Sequence, residues 1–297
     1  MSTAPAPPSF TDDKSPTCIS FILNLLQTHN TSSRPLIIGL NGLQGVGKTT
    51  LVTTLSETLS SGPSNIPTLV LSIDDFYLTH ADQRALATSH PSNALLQHRG
   101  EPGTHDVDLA RSVFESLLEG RETRIPSYDK AAFEGRGDRR PVSEWPVVNA
   151  PGEEKIRLVI LEGWCVGFRS ITPDVLKQKW EGQSLTLKNH ALEDLAYVND
   201  QLRGYDALTD LLDGFIHVDA EDLSYVYAWR REQEVALRAE RGTGMTDEEV
   251  VKFVDAYYPA YELYCDGVRA GVLPDKPKHQ LRLIVGRDRK VKEVQII

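Results

Sequence analysis

The stretch at residues 42–49 constrains the fold of this chain most, because its letters, GLQGVGKT, fit the phosphate-binding pattern G-x-x-x-x-G-K-[ST]. Glycines let successive backbone N–H groups point into one hollow at the start of a helix, whose dipole also favours an anion. In this pattern Lys48 contacts the β and γ phosphates of a nucleotide, and the Thr49 hydroxyl is a ligand of Mg²⁺. The residues predicted to surround the phosphates are Gly42, Leu43, Gln44, Gly45, Val46, Gly47, Lys48, Thr49 and Thr50.

The flanks of this loop carry the strand and the helix that the pattern requires. Residues 34–40 form a short apolar, β-branched run typical of a buried strand. After the loop, apolar residues recur at helical spacing, at Leu51, Val52, Leu55 and Leu59. A dinucleotide-binding G-x-G-x-x-G motif is excluded, because Gly45 and Gly47 are followed by Lys48 with no third glycine. The sequence therefore predicts a nucleotide-binding α/β domain.

The composition narrows the choice of partners and compartment. The chain has 42 Asp and Glu against 32 Lys and Arg, a net charge of −10. Proteins that bind nucleic acids or membrane surfaces instead rely on an excess of Lys and Arg. Its 3 cysteines are far apart and lack C-x-x-C spacing, so neither a disulfide framework nor a zinc site is indicated. No membrane-spanning run, secretory segment or transit peptide is evident. We expect a monomer in the cytoplasm, with the nucleus as an alternative, and neither nucleic acid nor membrane as a partner.

The domain organisation is predicted to be simple. Residues 1–15 are rich in Pro, Ala, Ser and Thr and are expected to form a disordered tail. Residues 16–297 show no repeat or linker, so we expect a single domain. Further strands are predicted at residues 68–73, 156–161 and 214–219, with an antiparallel hairpin at 280–285 and 291–297. The predicted fold is a three-layer α/β/α domain of the P-loop NTPase type, with a mostly parallel sheet, a helical lid and a C-terminal β-hairpin.

Two carboxylates stand where predicted strands end, which is where open α/β sheets bind their ligands. Asp74 follows the strand at 68–73, and a carboxylate there can accept the proton of a hydroxyl that attacks a γ-phosphate. Helix capping is the alternative role for Asp74 and for its neighbour Asp75. Glu162 follows the strand at 156–161, where a second Mg²⁺ contact or a water-holding group would be needed.

An insertion at about residues 78–155 is longer than an ordinary crossover and is predicted to carry the acceptor site. It contains a turn rich in hydrogen-bond donors at residues 99–106 (RGEPGTHD), which ends in Asp106, a predicted helix cap. It also contains a charged loop at residues 126–139, for which a purely solvated role is an equally good interpretation.

A helix predicted from Leu223 to about Glu240 places four arginines, Arg230, Arg231, Arg238 and Arg241, within one arc. Glycines follow at 242 and 244, so residues 223–245 are predicted to form a lid that closes over the transferring phosphate. Ion pairs with glutamates of the same helix are the alternative role of these arginines.

The order of these motifs resembles the phosphoribulokinase and uridine kinase superfamily of P-loop kinases. Within it, the chain looks most like the D-glycerate 3-kinase group and its fungal relatives. The segments that carry the resemblance are residues 42–49, 72–77 (SIDDFY), 99–106, 126–130 (PSYDK), 161–164 (LEGW) and 229–231 (WRR). The resemblance extends over about residues 35–297 and implies ATP and Mg²⁺ as cofactors.

Residue by residue, the resemblance implies a set of roles. Asp74 would be the base, Thr49 and Glu162 the residues on the Mg²⁺ side, and Arg230 and Arg231 the catalytic arginines of the lid. The residues implied as neighbours of the acceptor are Tyr77, His105, Tyr128 and Lys130. A carboxylate on the acceptor needs a fixed cation, ideally an arginine, and Arg99, Arg136 and Arg139 are the candidates; Arg99 is assigned to the acceptor site.

The predicted function is transfer of the γ-phosphate of ATP to a primary hydroxyl of a small, carboxylate-bearing substrate, D-glycerate first, giving 3-phosphoglycerate. A nucleoside- or pantothenate-type kinase is the alternative within the same chemistry, and aromatic residues keep a nucleobase pocket open: Phe76, Tyr77, Tyr128 and Phe133. An ATP-binding partner protein with slow ATPase activity is the alternative from another class. A guanine-specific switch is not indicated, because the sequence lacks an N-K-x-D segment late in the chain.

Overall fold

The structure of the protein is a computed structural model that describes residues 12–29, 34–61 and 65–297. Its strands are β1 (Leu36–Gly42), β2 (Thr68–Ser72), β3 (Thr123–Arg124), β4 (Tyr128–Asp129), β5 (Asp138–Arg139), β6 (Val147–Val148), β7 (Leu158–Gly163), β8 (Gly214–Ala220), β9 (Gln280–Val285) and β10 (Val291–Ile296). Its helices are α1 (Ser15–His29), α2 (Lys48–Ser61), α3 (His80–Ser89), α4 (Val107–Leu118), α5 (Pro173–Glu181), α6 (Leu192–Thr209), α7 (Tyr225–Arg241), α8 (Asp247–Asp255) and α9 (Tyr258–Ala270).

The main sheet of the described chain has the strand order β10-β9-β8-β1-β7-β2. All neighbouring strands pair in parallel except β10, which pairs antiparallel with β9 at the sheet edge. The mostly parallel sheet and the C-terminal hairpin confirm the predicted fold class. Two short two-stranded ladders, β3 with β6 and β4 with β5, lie within residues 78–155.

Helices cover both faces of the sheet because its central strands are apolar on both sides. Every residue of β1 and of β8 is buried. Ile38 and Gly39 are consecutive residues of β1 and therefore point to opposite faces. Gly214 of β8 pairs with Ile38, and a β-carbon built on Gly214 would lie 2.4 Å from Leu25 of α1. A β-carbon built on Gly39 would lie 2.7 Å from Leu212, which follows α6. Helix α1 therefore packs on one face of the sheet, and the end of α6 packs on the other. No helix of the described chain combines the length and hydrophobicity that a bilayer crossing requires.

The expected tail at residues 1–15 differs from the structure at its C-terminal end. Residues 1–11 lie outside the described part of the chain, but Lys14 is buried and its Nζ donates to the Arg289 carbonyl at 2.7 Å. The Val291 N–H donates to Asp13 at 2.9 Å, and α1 already begins at Ser15. Charged side chains thus hold this segment against the hairpin turn, an interaction that composition does not reveal.

The sequence TDEE at residues 246–249 predicts a capping box and a helix that ends at Pro259. The capping box is present, but α8 ends at Asp255 and Pro259 lies in the first turn of α9. Proline is favoured at a helix start, because its missing N–H would have no intrahelical acceptor there.

One buried charge joins the sheet to α9. Asp219 of β8 is fully buried and accepts hydrogen bonds from Arg269 Nε at 2.9 Å and from Arg282 Nε at 3.0 Å. Two guanidinium groups thereby compensate one carboxylate that has left water, and removal of a buried partner leaves the remaining charges unpaired. The interaction fixes α9 against β8 and β9.

We predict that Asp219→Ala lowers the free energy of unfolding by about 3 kcal/mol, because it leaves Arg269 and Arg282 uncompensated. Urea unfolding at neutral pH measures this change. Asp266→Ala is the matched control, since that exposed carboxylate also pairs with Arg269, at 3.6 Å, and should cost less than about 1 kcal/mol. Equal losses of unfolding free energy in the two variants would contradict the assignment of Asp219 as the buried charge that compensates Arg269 and Arg282.

Candidate active site

The phosphate-binding pattern forms a loop between β1 and α2 with two glycines at positive φ, Gly45 at 81° and Gly47 at 100°. L side chains rarely adopt such angles. At Gly45 a β-carbon would also lie 2.7 Å from Cβ of Trp229. At Gly47 it would meet no heavy atom of the described residues within 4 Å, so the loop is open on that side.

The loop is supported from behind by α7, α9 and the turn of the C-terminal hairpin. Arg289 Nε donates to the Gly45 carbonyl at 2.7 Å, and Arg289 also pairs with Glu232 at 2.6 Å. The Gln44 N–H donates to the Tyr261 hydroxyl at 3.3 Å. Trp229 is fully buried beneath Gly45 and donates its indole N–H to a carbonyl of the same turn. These contacts hold the backbone of the loop in one conformation.

Lys48 begins α2 and points back into its own loop. Its Nζ donates to the carbonyls of Gly42 at 2.8 Å and Leu43 at 3.2 Å. Burial lowers the pKa of Lys48, and the negative charges of Glu162 and Asp74 oppose that effect. The ammonium group is therefore held at the loop with both carboxylates nearby.

Asp74 lies in a short 3₁₀ helix, Ile73–Phe76, directly after β2. Its Oδ2 pairs with Lys130 Nζ at 2.6 Å. Burial raises the pKa of Asp74, but the Lys130 ammonium, the hydrogen bond that it donates and the hydroxyl of Tyr77 outweigh burial and hold that pKa below its usual value. Asp74 is thus a carboxylate fixed by two donors, and the structure does not use it as the side-chain cap of a helix.

Glu162 comes to the same edge through strand register. It is the penultimate residue of β7 and lies beside Leu40 of β1 and Ser72 of β2. Because these three strands are parallel and adjacent, their carboxyl ends place the phosphate loop, Glu162 and Asp74 side by side.

A cavity of about 410 Å³ at this edge contains most of the predicted site. The predicted residues that line it are Gln44, Gly45, Lys48, Thr49, Asp74, Tyr77, Arg99, Lys130, Glu162 and Arg230. The predicted residues that do not line it are Gly42, Leu43, Val46, Gly47, Thr50, His105, Tyr128 and Arg231. The structure therefore brings residues predicted for the nucleotide, the base and the acceptor together in one cavity, while eight other predicted residues do not line it.

Among the three candidate arginines for a carboxylate, only Arg99 lines this cavity. Its guanidinium donates to the carbonyls of Gly135 at 2.7 Å and Lys130 at 3.4 Å, which ties it to the loop that carries Lys130. Arg139 instead pairs with Asp106, the N-cap of α4, at 3.1 Å. Arg136 is exposed and lines a different cavity.

His105 and Tyr128 pack around Tyr77. The rings of Tyr77 and His105 are stacked at 4.4 Å, and Tyr128 meets Tyr77 edge-on at 5.4 Å. His105 Nδ1 is 2.7 Å from the Tyr205 hydroxyl, and burial lowers the pKa of His105 to about 4, so the ring is neutral at neutral pH. Tyr77 in turn contacts Asp74, the predicted base. His105 and Tyr128 therefore support Asp74 through Tyr77 and do not themselves line the cavity.

The two lid arginines differ in position. Arg230 forms an ion pair with Glu234 and lies 4.5 Å over the ring of Phe253 in α8. Arg231 points away from the cavity to Asp247, at 3.1 Å. The predicted helix break is present, because Gly242 ends α7 in the left-handed conformation with φ 73°.

Sequence reasoning missed the aromatic wall of the cavity, formed by Trp164, Phe253 and Tyr257. Trp164 belongs to the hydrophobic core, at 4% exposed, and also lines the cavity, where it packs edge-on against Tyr257 at 5.1 Å. No motif marks Phe253 or Tyr257, which reach the site only because α8 packs against α7. Arg289 was missed for a similar reason, since it lies in a hairpin turn far along the chain.

A second cavity of about 470 Å³ lies on the other side of the phosphate loop. It shares Gly45 and Gln233 with the first cavity and also includes Thr50. Its remaining wall comes from α7, the turn at residues 287–290 and the N-terminal Asp12 and Lys14. Residues of the phosphate loop thus line two neighbouring cavities.

A metal ion at this site would depend on few protein ligands. Within the described residues no group of three or more His, Cys, Asp or Glu side chains could hold a metal. The predicted metal ligands Thr49 and Glu162 both line the first cavity. One or two protein oxygens are what Mg²⁺ uses when phosphates and water fill its other positions, so the donor set fits that ion.

Comparison with known proteins relates the chain to a group of kinases. It is 38% identical to an uncharacterised kinase of Schizosaccharomyces pombe over 86% of this chain and 90% of that protein. It is 40% identical to the chloroplastic D-glycerate 3-kinase of Arabidopsis thaliana over 77% of this chain, which spans only 48% of that protein. The solved D-glycerate 3-kinase of Cryptococcus neoformans superposes with a TM-score of 0.85 at 33% identity, over 96% of this chain and 99% of that one. No family model matches the chain.

The chain belongs to the family of ATP-dependent P-loop kinases that contains D-glycerate 3-kinase and these fungal kinases. It is an ATP-dependent kinase that phosphorylates a hydroxyl group.

We predict that Lys48→Ala weakens ATP binding by about tenfold or more, because the loop would lose the ammonium group that the sequence pattern assigns to the phosphates. Calorimetric titration with ATP measures the effect. Glu57→Ala, an exposed substitution on the same helix, is the control and should bind ATP normally. Unchanged affinity in Lys48→Ala would contradict a phosphate-binding role for the loop.

Proposed function

We propose that this member of the family transfers the γ-phosphate of ATP to the primary hydroxyl of D-glycerate and forms 3-phosphoglycerate. The observation that carries the proposal is the shared cavity, in which the phosphate-binding Lys48 and Thr49 face Asp74 together with two cations, Lys130 and Arg99. A base and a carboxylate-binding group are what a small hydroxy acid requires, and both lie within one cavity of about 410 Å³.

The nucleotide would lie across the phosphate loop, with its phosphates in the first cavity and its nucleoside in the second. The loop N–H groups and Lys48 would bind the β and γ phosphates. Thr49 and Glu162 would hold Mg²⁺, which neutralises charge on the phosphates when bound. Gly45 and Gln233, which line both cavities, would lie at the junction.

The acceptor hydroxyl would be oriented by Asp74. As the hydroxyl oxygen forms its bond to the γ-phosphorus and the bond to the β-phosphate oxygen breaks, the hydroxyl proton passes to a carboxylate oxygen of Asp74. Tyr77 and Lys130 hold this carboxylate in position. Positioning of the hydroxyl and neutralisation of phosphate charge would supply most of the rate enhancement.

Recognition of the acceptor carboxylate is assigned to Lys130 and Arg99. Lys130 is 59% exposed and contacts the base, so its flexible ammonium can reach a second anion without leaving the cavity. The guanidinium of Arg99 is fixed over the Tyr128 ring at 5.7 Å and by the carbonyls of its loop. An acceptor that carries a carboxylate would be bound more tightly than a neutral acceptor.

Arg230 is the lid arginine that we assign to the transferring phosphate, because it lines the cavity beside Lys48. Its ion pair with Glu234 and its contact with Phe253 orient the guanidinium. Arg231 would support the lid through its ion pair with Asp247 of α8.

A nucleoside acceptor is less well supported, because it carries no carboxylate for Lys130 and Arg99. The aromatic wall of the cavity would suit a nucleobase as well, so this choice rests on charge. Of the four aromatic residues that kept this alternative open, only Tyr77 lines the cavity. Phe76 is 1% exposed, and Phe133 is 54% exposed and stacks on His80 outside the cavity.

The experiment that tests the proposal measures ATP consumption with Mg²⁺ and D-glycerate, L-glycerate, uridine, cytidine or pantothenate. We expect D-glycerate to give the strongest acceptor-dependent signal. We also expect Asp74→Asn to bind ATP normally but to lose turnover by about a hundredfold or more, because the proton acceptor is removed.

Asp75→Asn is the matched control for Asp74→Asn, since Asp75 accepts the Tyr128 N–H at 3.2 Å outside the cavity lining. It should retain most of the turnover. Full activity in Asp74→Asn would refute the assignment of the base, and a dominant signal from a nucleoside would refute the acceptor.

We further predict that Lys130→Met moves the acidic limb of the pH profile of kcat/KM to higher pH. The ammonium of Lys130 helps hold the pKa of Asp74 below its usual value, so its removal raises that pKa and the base is protonated at a higher pH. Lys177→Met, at an exposed position on α5, should leave the limb in place. An unmoved limb in Lys130→Met would show that Asp74 does not determine it.

A further inference from the structure

A separate cavity of about 570 Å³ lies between α3 and α8, and we call it the α3–α8 cavity. Its walls come from α3, from residues 94–101, from residues 134–136 and from α8 with the following Tyr257. Neither Asp74, Lys130 nor Lys48 lines it. It is therefore a different space from the cavity that holds the base and the phosphate loop.

The wall of the α3–α8 cavity carries more positive than negative charge. Its cationic side chains are Arg84, Arg99, Arg136 and Lys252, and its acids are Glu101, Glu134 and Glu249. Burial raises the pKa of Glu101 well above its usual value, which favours its uncharged form. The cations of the wall outnumber the acids, in a chain of net charge −10.

Three of these cations are unpaired. Arg84, Arg136 and Lys252 form no ion pair within 4 Å and donate no side-chain hydrogen bond to any residue in the described ranges. Lys252 has only a weak attraction to Glu248, one turn earlier on α8. Cations that converge on one concave space without anionic partners are what an anion-binding site requires.

The two cavities share a wall formed by Arg99, Phe253 and Tyr257. On the catalytic side, Arg230 lies over the ring of Phe253 at 4.5 Å. A molecule in the α3–α8 cavity would thus contact residues that also face the acceptor, without occupying the acceptor's place.

We propose that the α3–α8 cavity binds a small anion with at least two negative charges, such as a phosphate ester or a dicarboxylate, at a site separate from those for ATP and the acceptor. Arg84 of α3 and Lys252 of α8 hold the anion from opposite walls, and Arg136 completes the site. These three unpaired cations suit a ligand that carries more than one negative charge.

The test uses inorganic phosphate as the probe in calorimetric titrations at constant ionic strength. The protein is first saturated with Mg²⁺, an ATP analogue that cannot transfer its γ-phosphate, and D-glycerate. We expect saturable binding at one site, and binding weakened by about tenfold or more in the double variant Arg84→Ala, Lys252→Ala.

The matched control is the double variant Arg124→Ala, Lys177→Ala, which removes two exposed positive charges outside the cavity. Its net charge therefore equals that of the variant Arg84→Ala, Lys252→Ala. It should bind phosphate as the unaltered protein does. The proposal is overturned by an absence of saturable binding to the saturated protein, or by equal weakening in both double variants. Because binding is measured without turnover, failure here is distinct from failure of the proposed kinase activity.

Discussion

The site depends on one constraint of the fold, the alignment of the carboxyl ends of β1, β7 and β2. Parallel pairing places Leu40, Glu162 and Ser72 in one row across the sheet. The phosphate loop directly follows β1, and the short 3₁₀ helix that carries Asp74 directly follows β2. A shift of one residue in β7 would turn Glu162 to the other face of the sheet. The buried apolar side chains of β1 and β7 oppose such a shift, and so the core sets the geometry of the chemistry.

Charge is distributed locally against the overall composition. The catalytic cavity carries four cations, Lys48, Arg99, Lys130 and Arg230, and two acids, Asp74 and Glu162. An acidic chain repels anionic substrates at long range, so a concentrated cationic cavity is the way in which it can bind a nucleotide phosphate and a carboxylate together. The contact of Lys130 with Asp74, the proposed base, helps hold the pKa of that carboxylate below its usual value and places a positive charge at the proposed acceptor side of the cavity.

Much of the fold follows from local patterns in the sequence. The strands predicted at 34–40, 68–73 and 214–219 agree with the bounds of β1, β2 and β8 to within two residues. They could be predicted because short apolar runs of that kind are typical of buried strands. The strands β3 to β6 have two residues each, too short to leave a pattern, so they were not predicted. The positions of Asp74 and Glu162 follow from strand ends, whereas the aromatic wall and Arg289 come from tertiary packing of α8 and of the hairpin turn. The different environments of Arg230 and Arg231 likewise depend on how α7 meets α8.

The most direct test of the central claim, that Asp74 and the phosphate loop act on the primary hydroxyl of a bound hydroxy acid, is phosphorus NMR of the products formed from ATP and D-glycerate. The account predicts ADP and 3-phosphoglycerate in equal amounts, with the new phosphate ester on the primary carbon. Formation of inorganic phosphate without an ester, or of an ester on the secondary hydroxyl, would contradict it.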